Sequence, residues 1–144
     1  MGKKRIIRKQ GTSVNQGLRN RALTRVVKKK VDKGVLHVQA TYNNTIVTLT
    51  DRKGNSLAAS SAGALGFRGA KKSTPFAAAK VGELIAEKAQ QMGMSEVDVR
   101  IRGVGPGRES AMRAFATKGI GIHAIRDETP VPFNGPRAKK PRRV

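Results

Sequence analysis

Apolar periodicity is confined to residues 34–129 of this 144-residue chain, and within that stretch it switches period several times. Leu36, Val38, Ala40 and Tyr42 alternate with His37, Gln39 and Thr41, the period of two that sends successive side chains to opposite faces of a strand. Asn43-Asn44 follows as a turn pair, both residues tolerating a positive φ. The β-branched run 45–50 predicts the returning strand. The turn 51–55 puts Gly54 where a left-handed residue belongs, and 57–61 predicts a third, weaker strand. The period then becomes helical. Thr74 is placed as N-cap and Pro75 as first helical residue. Ala77, Val81, Leu84, Ile85, Ala89 and Met92 form one stripe, and Gly93 closes the C-terminus. Val97, Val99 and Ile101 alternate with Asp98, Arg100 and Arg102 in a fourth strand. A second helix is expected over about 108–118, with Ala111, Met112 and Phe115 inward and Gly119 as its stop, then a fifth strand over 122–125.

This order, β-β-β-α-β-α-β, predicts an α/β fold: a mixed sheet of about five strands with two helices, one on each face or both on one. A crossover through the first helix puts the fourth strand parallel to a neighbour. The order resembles the ribonuclease-H-like topology, an analogy of fold that carries no activity with it.

Outside that core the chain is nearly all cation. Residues 1–33 hold 12 basic and 1 acidic side chains, 130–144 hold 5 and 0, and 34–129 hold 13 and 8, giving a net charge of +21. The chain therefore divides into a basic N-terminal extension (1–33), a globular domain (34–129) and a basic, proline-rich C-terminal tail (130–144). Such a charge repels itself unless a polyanion neutralises it, which points to nucleic acid. The first extension is expected to be irregular to about Asn20, with 21–30 able to form a short basic helix on a partner. Prolines 130, 132, 136 and 141 keep the tail extended.

Several function classes recede on composition. Zero cysteines exclude disulfides and cysteine-based zinc sites. With two histidines, no metal site and no cofactor are expected. No apolar run reaches the ~18–20 residues of a membrane span, so no membrane role is expected. The basic N-terminus lacks the apolar stretch of a secretory signal, while an organellar transit sequence remains an alternative. Aromatics make up 3% of the chain, with no Trp and only Tyr42 of its kind, which argues for a phosphate backbone and a folded shape rather than splayed bases as target. No acid occupies 34–42, and Asp98, Glu83, Glu87 and Asp51 form no two-metal constellation on paper. Glu83 and Glu87 are placed on the outer face of their helix, and His37 and His123 lack a nucleophile partner. The chain is read as no enzyme.

Two glycine-rich segments remain. In Gly66-Phe67-Arg68-Gly69-Ala70-Lys71-Lys72-Ser73-Thr74-Pro75 the glycines admit a close phosphate, three cations surround it and a helix N-terminus follows. Lys71 stands where a nucleotide-binding P-loop has its second glycine, leaving recognition of an RNA backbone or a solvated basic loop. Gly103-Val104-Gly105-Pro106-Gly107-Arg108 repeats the pattern, with Arg108 where a dinucleotide fingerprint has its third glycine. Phosphate approach and a tight strand-to-helix connection are both open there. Glu109 suits the positive end of the helix dipole. Both segments follow strands and open helices, so they are expected to share one edge of the sheet as a phosphate-facing rim.

At these residues the chain resembles the universal small-ribosomal-subunit protein eleven family, in its bacterial form. The matching stretches are Asn43-Asn44-Thr45-Ile46-Val47-Thr48 with Asp51 and Gly54-Asn55, then Gly66-Phe67-Arg68-Gly69 through Lys72-Ser73-Thr74-Pro75-Phe76-Ala77-Ala78. Gly105-Pro106-Gly107-Arg108-Glu109-Ser110, Thr129-Pro130-Val131-Pro132, Asn134-Gly135 and the tail 139–144 complete them. The first extension is longer than the family's bacterial pattern, Pro136 replaces a usual Cys, and Val104 replaces a common proline. The resemblance implies a structural rRNA-binding component of the small-subunit platform, near the exit path of mRNA, in a bacterial cytoplasmic ribosome or alternatively an organellar one. Its implied neighbours are small-subunit proteins six, eighteen, seven and twenty-one, with no homo-oligomer. The residues expected at RNA are Asn43, Asn44, Arg52, Gly66, Phe67, Arg68, Gly69, Lys71, Lys72, Ser73, Gly105, Gly107 and Arg108. In the tail they are Asn134, Gly135, Arg137, Lys139, Lys140, Arg142 and Arg143. Because Gly135 follows it, Asn134 is also a candidate for isoaspartate formation. A free-standing DNA- or RNA-binding regulator and an RNA-processing nuclease are the rival readings.

Overall fold

In the computed structural model, which describes residues 14–24 and 30–141, five strands form one sheet in the order β3-β2-β1-β4-β5. They are β1 (Lys33–Ala40), β2 (Thr45–Asp51), β3 (Ser56–Ser61), β4 (Glu96–Arg102) and β5 (Gly121–Asp127). β1, β2 and β3 form an antiparallel meander, whereas β1–β4 and β4–β5 are parallel. The helices are α1 (Gln16–Thr24), α2 (Pro75–Gln91) and α3 (Gly107–Ala116). The expected mixed sheet and element order are present, and β4 is parallel to β1 as the crossover rule requires.

The two-residue alternation becomes the two faces of the sheet. Leu36, Val38 and Ala40, Val47 and Leu49, and Val97, Val99 and Ile101 are buried together. They meet Ala77, Ala78, Val81, Leu84, Ile85 and Ala89 of α2 and Ala111 and Phe115 of α3. Each large apolar side chain so covered contributes about 1.5–3 kcal/mol. α2 and α3 pack on one another as well as on the sheet, so both helices lie on the same face. Among the described residues the other face carries no helix. Thr74 begins α2 as expected: its hydroxyl accepts from Ala77 N at 3.3 Å, and Pro75 is the first helical residue.

The N-terminal segment departs from expectation. Its helix is α1, earlier than the basic stretch 21–30, of which 25–29 lies outside the described residues. α1 rests on the body rather than standing free. Asn15 N donates to Leu65 O at 3.0 Å, the Asn15 carboxamide accepts from Gly17 N at 3.1 Å, and Val14, Ala22 and Leu23 pack against the core. The Arg19 guanidinium meets Glu87 at 2.6 Å, and Lys118 reaches the same carboxylate at 3.2 Å. Glu87 therefore lies under α1 instead of on an outer face, because two cations from distant parts of the chain converge on it.

Candidate nucleic-acid interface

Strand direction decides which parts of the chain meet. β1, β3, β4 and β5 all finish at one end of the sheet, where β2 starts. The turn 41–44, the glycine-rich segment 63–74, the turn 103–106, the N-termini of α2 and α3 and the start of the tail collect there. Hydrogen bonds link neighbours along this rim: Ala62 N to Thr45 O at 3.1 Å, Gly105 N to Ala40 O at 3.0 Å, and Gly103 N to the Thr129 hydroxyl at 3.1 Å. Both glycine segments are thus on one edge, as their sequence context suggested.

Residues 63–74 form two short 3-10 turns, Gly63–Leu65 and Gly69–Ser73. Gly66 sits between them at φ 96°, a conformation L side chains rarely adopt. Arg68 and Lys71 are exposed, Lys72 and Ser73 half-buried, and none of the three cations is ion-paired to a described residue. The Ser73 hydroxyl is occupied by Ala70 O at 3.1 Å. Phe67 is in the core beneath the loop, and its backbone N–H donates to Ala62 O at 3.3 Å.

The second glycine segment is built for close packing. A Cβ on Gly105 would stand 2.3 Å from Thr41 O, and one on Gly107 2.3 Å from Thr45 Oγ1 and 2.7 Å from the Ala78 Cβ. Both glycines are buried. The tight strand-to-helix connection accounts for them without a phosphate. Arg108 is half-buried and already partnered: Nη1 donates to Gly103 O at 2.7 Å and Nη2 pairs with the exposed Asp127. Asp127 also accepts from Thr129 N at 2.9 Å and from its hydroxyl at 2.5 Å. The Thr129 bonds first, then Arg108, pull its carboxyl down to about 2. Glu109, in the first turn of α3, pairs with Arg113 at 3.1 Å.

Asn43 and Asn44 occupy the β1–β2 turn, whose backbone N–H groups donate to the Thr41 hydroxyl at 3.3 and 3.1 Å. Neither takes a positive φ; among described non-glycine residues Asn134 alone does, at 54°. The threonine hydroxyl closes the turn without a left-handed residue. Arg137, Lys139 and Lys140 are exposed along the extended tail with Asn134 and Gly135, and Arg142 and Arg143 lie outside the described residues. Arg52 is in the β2–β3 turn, at the opposite end of the sheet, so the fold does not join it to the rim cations.

The helix-free face carries cations that sequence reasoning left unassigned. Arg100 lies between His37 and Arg126 across β1, β4 and β5, and Arg102 pairs in register with Gln39. A shallow cleft there is lined by His37, Gln39, Arg100, Arg102 and Glu128. Partial burial, then the Arg100 guanidinium, holds the His37 imidazole below its ordinary pKa. The alternation over 97–102 already placed Arg100 and Arg102 opposite the apolar side chains; only the location of both helices showed that their side stays open. The carboxylates are dispersed among neighbours: Asp98 meets His123 at 3.0 Å, Glu83 meets Lys80 at 3.0 Å, and Asp51 caps its own turn through Lys53 N and Asn55 N, both at 2.9 Å.

A sheet backed by two helices, with cations unpaired among the described residues at the end from which a basic tail departs, defines a nucleic-acid-binding α/β protein. The model of the family described as ribosomal protein S11 matches residues 34–143, and the chain belongs to that family. It is a structural, rRNA-binding constituent of the small ribosomal subunit, a ribonucleoprotein component that serves translation.

Proposed function

We propose that the chain shapes the platform of the small subunit near the exit path of mRNA, its rim and tail holding rRNA while α1 and the sheet keep them in register. The observation that carries this reading is the exposed Arg68 and Lys71 with Lys72 at the end of the sheet where α2 begins, the same end from which the basic tail departs after β5. Arginine forks onto phosphate oxygens and lysine supplies point charge. At Gly69 a Cβ would meet nothing within 4 Å, which leaves the loop backbone there open to a phosphate, whereas Gly66 is covered by Asn15. Small-subunit proteins six, eighteen, seven and twenty-one are the proposed neighbours, in a bacterial ribosome. The division into a basic extension, a body and a tail is part of the same proposal, with Asn43, Asn44, Arg137, Lys139, Lys140, Arg142 and Arg143 as phosphate contacts and Arg52 and Arg108 in lesser roles.

Crosslinking in assembled subunits, followed by sequencing of the attached RNA, tests the reading. Crosslinks from 66–73 and 137–143 to platform rRNA are expected. Crosslinks confined to another region of the subunit, or a protein that sediments apart from it, overturn it. The left-handed Asn134 before Gly135 is proposed as a site of isoaspartate formation, since the Gly135 nitrogen can attack the side-chain amide carbon and expel ammonia, leaving a succinimide that water opens to isoaspartate. A tail peptide whose mass and sequencing show ordinary Asn alone rejects that modification.

A further inference from the structure

The basic loop 68–75 leaves from one phenylalanine and returns to another, and the two rings touch. Phe67 and Phe76 have centroids 6.1 Å apart and planes at 83°, an edge-to-face pair. Phe67 is 3% exposed and fixed in the core, while Phe76, second residue of α2, is 55% exposed. The Lys80 ammonium lies one turn on, 5.7 Å from the Phe76 centroid, and Glu83 holds it there at 3.0 Å. A large apolar ring is thus held in solvent on a rigid helix start, buttressed from below, with Lys71, Lys72 and Lys80 as its nearest charges in sequence and Glu83 and Arg68 next. Beyond the contacts of Phe67 and Lys80, more than half of the ring stays in water, so the fold leaves much of its apolar surface uncovered.

We propose that Phe76 is a stacking platform for a single unpaired nucleobase of the rRNA, with the cations of 68–72 holding the phosphates on either side of it. The proposal rests on the reading of this rim as an rRNA surface and adds a base contact to it. A nucleotide alone combines what the patch offers partners for: a flat π face for the ring and an anion for the surrounding cations. The base belongs to a loop, bulge or strand end, because a continuous duplex keeps its base faces covered by their neighbours. Stacking tolerates every base, so the contact selects unpaired structure rather than sequence.

The chain has no tryptophan, so Phe76→Trp places a lone reporter at the site. Titrating that variant with purified small-subunit rRNA is expected to quench its emission, and a fully paired RNA duplex is expected to leave most of it. Phe76→Leu, which keeps an apolar side chain but has no π face, is expected to bind the rRNA roughly 5- to 150-fold more weakly. Phe76→Trp and Phe76→Tyr are expected to bind as wild type. Circular dichroism confirms that each variant folds. Wild-type affinity in Phe76→Leu, or an unquenched Trp in a variant that still binds, overturns the stacking contact and leaves the rim reading standing. RNA affinity unchanged while incorporation into subunits falls assigns the ring to a protein neighbour and also overturns it. Failure of the wild type itself to bind the rRNA removes the underlying reading.

Discussion

Asp127 shows how few side chains hold the functional end together. Its carboxylate joins the end of β5 to the start of α3 through Arg108 and to the start of the tail through Thr129, and Thr129 in turn accepts from Gly103 N. These contacts favour the ionised form and lower its pKa from 3.8 to about 2. For a carboxyl depressed on folding, the associated stability is present above the unfolded value and is lost as pH falls through the folded one. Asp127→Asn is therefore expected to lower the urea midpoint near neutral pH, and the gap from wild type to close between about pH 4 and pH 2. A gap that stays constant across that window rejects the account. Sequence reasoning gave Arg108 to phosphate. Its pairing with Asp127 depends on β5 running beside β4 and ending at the α3 mouth, a non-local fact that spacing in the chain does not hold.

Helix and strand assignments rested on periodicity, and the long periodic segments were legible for that reason. The stripe over 77–92 and the N-cap at Thr74 are local properties, and both stand in α2. α1 was misplaced because its own sequence is polar; it forms where Glu87 and the core offer it contacts. The α2–α3 crossing was equally hidden. Gly82 lies mid-helix, where glycine costs about 1 kcal/mol relative to alanine, so propensity alone marks it as a weakness. In the fold, a Cβ there would be 2.3 Å from the backbone oxygen of Ala111. Backbone cannot swing aside as a side chain can, so Gly82→Ala is expected to lose stability by roughly 1–3 kcal/mol despite the better helix former. Chemical denaturation of the two proteins checks this, and a more stable variant sinks it.

Taken across its full length, the molecule separates holding from shaping. The body carries a nearly balanced charge, and the excess sits on the extensions. Binding driven by phosphate neutralisation weakens with salt by about 0.7 log unit per contact on single strands and about 0.9 on duplex DNA. Removing residues 130–144 takes away five cations. The slope of log affinity against log salt is expected to become shallower by at most roughly 3.5–4.5, while the melting temperature of the body changes little. Affinity measured at four or five salt concentrations decides it; an unaltered slope means the tail does not sit on phosphate.

What the order of amino acids determined alone was the element sequence, the inward side of β1, β4 and the two long helices, and the segregation of positive charge. Each follows from local steric and hydrophobic periodicity or from counting. Tertiary structure decided the rest. It put α2 and α3 on one face, gathered the glycine segments and the start of the tail at one end while sending Arg52 to the other, paired Arg108 with Asp127 and left Phe76 outward. Those outcomes depend on strand direction and on contacts between residues far apart in the chain, where no local pattern reaches.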